Sequence, residues 1–181
     1  FQGQCMTTGP SAPTQGQYIY FDSFDDGVAN GWSFSSDNEQ VYWSLATGQS
    51  SSPPFALYAG NPNALSYDFG NTQTVAKSPL IHMPDTSLLL RFLQWGDVEE
   101  DHCFSDVLYL IAVSATDGIP SMVLSPSLCE STEGDFLVRE YDLTPVQGAS
   151  IQLLFGFSTY DGLQNQGVGI YLDNVGILAF P

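Results

Sequence analysis

Three carboxylates open the chain's chemistry. Asp22, Asp25 and Asp26 fall within five positions, at the end of an expected strand. Like charges that close raise one another's pKa and cannot cluster unpaired without cost. The whole chain holds three Lys+Arg (Lys77, Arg91 and Arg139) against twenty Asp+Glu, a formal net charge of −17, so salt bridges cannot serve every acid. Calcium takes six to eight oxygens from carboxylates, amide oxygens and backbone carbonyls. It is therefore a natural counter-charge here, and one that would tie the first strand to the last. Solvated turn aspartates making local Asx hydrogen bonds are the alternative.

A second acidic group, Asp97, Glu99, Glu100, Asp101 and Asp106, surrounds His102 and Cys103. It reads as a second ion site, a functional loop or a solvated acidic loop. The aromatics with the chemistry to stack on a sugar are Trp43, Trp95 and Tyr160, since a flat exposed ring beside polar groups is what such recognition needs. Tyr160-Asp161-Gly162 with Asn165 sits in a loop and fits best. The candidate ligand-binding set is thus Trp95, Tyr160, Asp161 and Asn165. Trp32 reads as core.

Three cysteines are present. Cys103 and Cys129 flank an expected strand pair and could close a loop of about 25 residues, worth about 3 kcal/mol by chain entropy. Two buried free thiols, or exposed ones too far apart to bridge, are the alternatives. Cys5 is left over in a tail. Catalytic signatures are thin: the two histidines, His82 and His102, form no metal-binding pair, and there is no nucleophile elbow or phosphate loop. A pair of carboxylates suited to glycoside hydrolysis is always available among twenty acids. The expectation is a binding protein and not an enzyme. A surface this acidic repels phosphate backbones, so no nucleic acid partner is expected. Apolar runs such as Val107 to Val113 fall far short of the roughly 20 residues of a membrane helix.

The elements that must position these residues read as strands. Tyr18–Phe21, Phe55–Tyr58, Leu65–Phe69, Leu88–Trp95, Asp106–Ser114, Phe136–Leu143 and a closing run from about Gly167 to Leu178 are rich in β-branched and aromatic residues between turn signals. Asp106–Ser114 is nearly all apolar, which predicts a central strand covered on both faces. Ile151, Leu153, Phe155 and Phe157 alternate and should line one face. In the closing strand the same alternation sets Val168, Ile170 and Leu172 against Tyr171, Asp173 and Val175. No twelve-residue window keeps a helical period. The fold class is all-β, a two-sheet antiparallel jelly-roll sandwich over residues 17–181. Residues 1–16 read as a tag remnant (Phe1-Gln2-Gly3) and a flexible linker.

Four motifs in order carry a resemblance. They are Phe24-Asp25-Asp26-Gly27 with Gly31-Trp32; Ala56-Leu57-Tyr58-Ala59-Gly60-Asn61; Ser78-Pro79-Leu80-Ile81; and Gly169-Ile170-Tyr171-Leu172-Asp173-Asn174-Val175. This series resembles the MAM-like jelly rolls of bacterial surface proteins, the group that includes cleaved-adhesin modules. The cysteine pattern differs from eukaryotic MAM domains. The resemblance implies structural calcium held by Asp25 with Asp26 or Asp22, by Asp173 of the closing strand, and by Asn61 as a further oxygen donor. It also implies a secreted or cell-surface adhesion domain that binds glycan or a cell-surface protein, with oligomers open. The alternatives are a structural module inside a larger exported protein or fibre, and a carbohydrate-active enzyme.

Overall fold

The computed structural model describes residues 15–99, 105–116, 118–163 and 165–181. Its strands are β1 (Gln17–Asp22), β2 (Ser33–Ser36), β3 (Tyr42–Ala46), β4 (Ala56–Gly60), β5 (Thr72–Lys77), β6 (Ile81–His82), β7 (Ser87–Asp97), β8 (Asp106–Ser114), β9 (Pro120–Leu128), β10 (Leu137–Asp142), β11 (Ser150–Thr159) and β12 (Gly169–Phe180). A short 3₁₀ turn spans Thr144–Val146. Two antiparallel sheets result. Sheet A runs β10-β7-β12-β4-β3, with β1 also paired to β12. Sheet B runs β2-β5-β11-β8-β9, with β6 also paired to β11. The molecule is the all-β jelly-roll sandwich the residue pattern predicts.

Alternation builds the core. Ile151, Leu153, Phe155 and Phe157 of β11 are fully buried and face Leu88, Leu90 and Phe92 of β7. Phe155 meets Phe92 edge-on at 5.3 Å between ring centroids and lies 6.0 Å from Trp32. Each large apolar side chain so buried contributes about 1.5–3 kcal/mol. Trp32 and Trp43 both belong to this core. Trp43 is 1% exposed and is no stacking platform.

The two sheets differ on their outer faces. The outer face of sheet A is roofed over one half. Tyr58, Tyr171 and Trp95 form a separate buried cluster there with Ala46 and Ala56. Tyr58 and Tyr171 stack at 4.3 Å. The chain around Gly48 lies over them, since a side chain at Gly48 would begin 2.3 Å from the Tyr171 hydroxyl. Among the described residues sheet B has no such roof: Gln73 is exposed, and Val75, Lys77, Tyr109, Ile111, Gln152 and Leu154 are half-buried.

Several elements depart from the residue-level reading. Leu65–Phe69 is not a strand. Asn61 Oδ1 accepts from the backbone N–H groups of Asn63 and Ala64 at 3.0 Å each, and this turn holds the segment in place. Asp106–Ser114 is β8 as predicted, but it is fully covered only on its inner side. In β12 the register slips between Asp173 and Gly176. That bulge places an extra residue on one strand and returns Val175 to the core beside Ile170 and Leu172, not to the Tyr171 side. β2, β3, β5, β6 and β9 add to the expected strands.

Candidate functional site

The structure separates the predicted calcium ligands. Asp22 registers with Val175, a core residue, so it points to the inner face of sheet A. Its Oδ1 accepts from Phe24 N at 3.0 Å and its Oδ2 from Trp32 Nε1 at 3.0 Å. Burial pushes its pKa up, partly opposed by those two bonds. Asp173 registers with Leu93, which alternates with the inward-facing core residue Phe92, and so points to the opposite, outer face. It is fully buried. Its Oδ2 accepts from Ser51 N at 2.7 Å and Ser52 N at 2.9 Å, and its Oδ1 from Asn174 N at 2.7 Å. The Ser52 hydroxyl adds longer contacts to both oxygens. The chain itself satisfies this carboxylate, which ties the 51–52 loop onto β12.

Asn61 lies elsewhere. Ala59 pairs with Ile170 and Leu57 with Leu172, so Asn61 sits level with Val168. That is five residues from Asp173, roughly 17 Å along the strand. Its oxygen closes the turn already described and its amide donates to Gln40 Oε1 at 3.2 Å. Asp26 Oδ1 accepts from Val28 N at 2.9 Å. Asp25 is different: its Oδ1 is buried with no hydrogen-bond partner. It lines a cleft of about 360 Å³ with Asp22, Asp26 and Asn30, where Phe24 takes a left-handed φ of 61°. Among the described residues no three His, Cys, Asp or Glu side chains converge as a metal-holding group. The five residues Asp22, Asp25, Asp26, Asn61 and Asp173 therefore do not fit one ion.

Of the second acidic group, Asp97, Glu99 and Asp106 are described. Asp106 is fully buried and accepts from the Tyr67 hydroxyl at 2.5 Å. Tyr67 in turn accepts from Glu99 N at 2.9 Å. Asp97 Oδ2 accepts from Val168 N at 3.0 Å. Glu100, Asp101, His102 and Cys103 lie outside the described residues, so the predicted Cys103–Cys129 bridge does as well. Cys129 itself is buried.

Of the predicted ligand-binding residues, Tyr160 and Asp161 are exposed, Tyr160 at 65%. Asp161 Oδ1 caps its own loop through Leu163 N at 2.9 Å. Asn165 is fully buried beneath that loop and donates weakly to Gly70 O and Asp161 O, so it braces the loop and does not present itself. Trp95 is 7% exposed and packs edge-on against Tyr171 at 5.5 Å. The roof over sheet A removes it from solvent and from the candidate set.

What reasoning from residue types missed is the open face of sheet B. Gly156 of β11 pairs with Val75 on one side and Tyr109 on the other. A side chain there would begin 1.9 Å from Tyr109 Cζ, so the Tyr109 ring folds across the bare glycine. Burial raises the Tyr109 pKa; a hydrogen bond with the Gln73 side chain opposes this, and nearby Tyr160 adds to the rise. Gln73 registers with Ser158, two residues on from Gly156 on the same face, and Tyr160 follows directly after β11, so the three residues gather at one end of the face. Beside them Ser33, Ser35, Val75, Lys77 and Leu154 line a groove of about 490 Å³. Lys77 makes no ion pair among the described residues. Two phenol rings next to an amide, two hydroxyls and an ammonium offer ring faces for C–H surfaces and donors for hydroxyl groups. The one signal in the sequence was the alternation inside Asp106–Ser114, where Tyr109 interrupts aliphatic neighbours.

No family model matches the chain, and no curated protein does. Solved structures do match. TmCBM61 in complex with beta-1,4-galactotriose is 12% identical with a TM-score of 0.61, over 87% of this chain and 94% of that one. The CBM22-1 xylan-binding domain of Xyn10C from Paenibacillus barcinonensis is 13% identical with a TM-score of 0.56, over 94% of this chain and 99% of that one. A cleaved-adhesin domain of Lys-gingipain from Porphyromonas gingivalis is 12% identical with a TM-score of 0.48, over 90% and 98%, and at that score the likeness carries no weight. At these identities the likeness establishes the β-sandwich fold.

Proposed function

We propose that this domain is a non-catalytic glycan-binding module whose binding face is the open side of sheet B. The observation that carries the reading is the Tyr109 ring folded across Gly156 beside Gln73 and Tyr160, at the head of the Ser33–Leu154 groove. The two structural neighbours named for galactotriose and xylan support the substrate class. A net charge of −17 favours neutral over acidic polysaccharides. Work outside the cell, at a surface or on an exported polysaccharide, belongs to the same reading, as does a bridge between buried Cys129 and Cys103. Affinity gel electrophoresis against a panel of soluble neutral polysaccharides, including β-1,4-galactan and xylan, tests it. At least one should retard the protein, and Tyr160→Ala should weaken that retardation about tenfold. No retardation by any of the panel refutes the proposal.

Calcium narrows to the opening loop. There Asp25 offers an unpartnered buried oxygen, and Asp26 with nearby backbone carbonyls could complete a shell. An ion so placed would be structural.

A further inference from the structure

We infer that the outer face of sheet A carries a second site for a neutral pyranose, built from Tyr18, Phe21, Arg91 and Asn174. Half of this outer face is roofed, whereas beside β1 the residues Tyr18, Phe21 and Arg91 are exposed. Tyr18 and Phe21 are 46% and 48% exposed. Their rings lie 4.9 Å apart at 55°. They close over Gly176 of β12, where a side chain would begin 2.5 Å from Tyr18 and 3.0 Å from Phe21. Only a glycine there lets both rings settle onto the sheet. Gly176 registers with Arg91 of β7, so the guanidinium flanks the ring pair. A groove of about 260 Å³ runs between them, lined by Tyr18, Phe21, Arg91, Phe92, Leu93 and Asn174.

The polar rim names the ligand. Arg91 Nε faces Glu140 Oε1 at 3.6 Å with both side chains about half exposed. Such a pair stabilises little in water but presents donors and acceptors side by side with no net charge. Asn174 holds a left-handed φ of 51°. Its Oδ1 is contacted by the Ser52 hydroxyl at 3.3 Å, and its amide nitrogen makes no hydrogen bond among the described residues. Paired rings for a C–H face, a balanced Arg–Glu pair and a free amide suit the hydroxyls of an uncharged sugar. A polyanionic glycan is disfavoured by the charge of the whole chain. The two sheets of a sandwich pack about 10 Å apart, so this site and the sheet B face look in opposite directions. One short oligosaccharide cannot reach both, whereas a polysaccharide network can be held at two points, gaining avidity without new contacts.

This inference goes beyond the sheet B reading and stands on different residues. The experiment is a ¹H–¹⁵N titration with β-1,4-galactotriose and, separately, xylotriose, on wild type, Phe21→Ala, Tyr18→Ala and the Tyr109→Ala/Tyr160→Ala double variant. Saturable shifts are expected at the Gly176 amide, Arg91 Nε and the Asn174 side-chain amide. They should persist in the double variant and weaken about tenfold or more in Phe21→Ala and Tyr18→Ala. Melting curves confirm that each variant folds. Shifts confined to sheet B overturn this site alone. Silence at both faces overturns this site, and retardation by the polysaccharide panel then decides the sheet B reading separately. A dimer in sedimentation that Phe21→Ala dissolves, with no sugar-induced shift at Gly176, assigns the face to self-association and overturns the sugar site.

Discussion

Gly156→Ala is the sharpest perturbation of the sheet B face. A Cβ there would lie 1.9 Å from Tyr109 Cζ, 2.2 Å from Cε2 and 2.3 Å from the hydroxyl. Ordinary carbon contacts need about 3.5 Å, so the ring tip must move by roughly 1.6 Å. The tip is the far end of a half-buried side chain, so it can swing toward solvent without moving the sheet. Swinging the ring out draws it away from the Gln73 side chain, a loss of at most about 0.5–1.5 kcal/mol. Replacing glycine within a strand returns about 0.5–1 kcal/mol, so net stability changes by less than about 1 kcal/mol. Binding should suffer far more, because the ring leaves the position that a sugar would stack on. A loss of about 10- to 100-fold in Kd, or about 1.4–2.8 kcal/mol, is expected by isothermal titration against whichever polysaccharide the wild type retains. A variant that binds as tightly as wild type refutes the platform. One that melts many degrees lower shows that Tyr109 serves the fold and not a ligand.

Asp173→Ala removes the acceptor of three backbone N–H groups and should cost about 3 kcal/mol, since each unmet buried donor costs about 1–3 kcal/mol and the loop admits some water. Urea unfolding should show the same cost with and without a chelator; a cost that vanishes in EDTA would make Asp173 an ion ligand after all. In wild type, chelation should lower the Tm and added Ca²⁺ restore it if the Asp25 loop holds an ion, and an unchanged Tm removes that site. Burial pushes the Tyr171 hydroxyl up to about 12 and raises Tyr20, Tyr58 and Tyr67 further, whereas unfolded tyrosine ionises near 10. Between those values the unfolded chain has released protons that the folded chain keeps, so this stability is intact below about pH 10 and is lost as pH rises through the folded pKa values. Ultraviolet titration should therefore show these four ionising together with unfolding, and smooth independent titration of all nine tyrosines near pH 10 contradicts it.

The sandwich was legible because its strands alternate: the β11 core residues Ile151, Leu153, Phe155 and Phe157 could be placed without coordinates. The closing strand shows the limit. Alternation alone sets Val175 beside Tyr171 and Asp173, and the β12 bulge reverses it, because a one-residue slip exchanges faces. Asp173 was singled out as a calcium ligand, whereas in the structure it is a buried acceptor of backbone N–H groups. Its partners are backbone donors of a loop more than a hundred positions away, and no local pattern encodes those. Trp95 and Tyr160 are both aromatic candidates by type. Only the roof over sheet A tells them apart. Tyr109, Tyr18 and Phe21 were visible as β-prone aromatics, but their role depends on Gly156 and Gly176 lying beside them on neighbouring strands. That is a cross-strand relation, fixed by register.

The most direct test of the central claim is the crystal structure or ¹H–¹⁵N map of the domain with a bound β-1,4-linked neutral oligosaccharide. A sugar ring should lie against Tyr109 and Tyr160, with perturbation at Gly156, the Gln73 side-chain amide, Ser35 and Lys77. A saturated complex in which the sheet B face is untouched would contradict that claim.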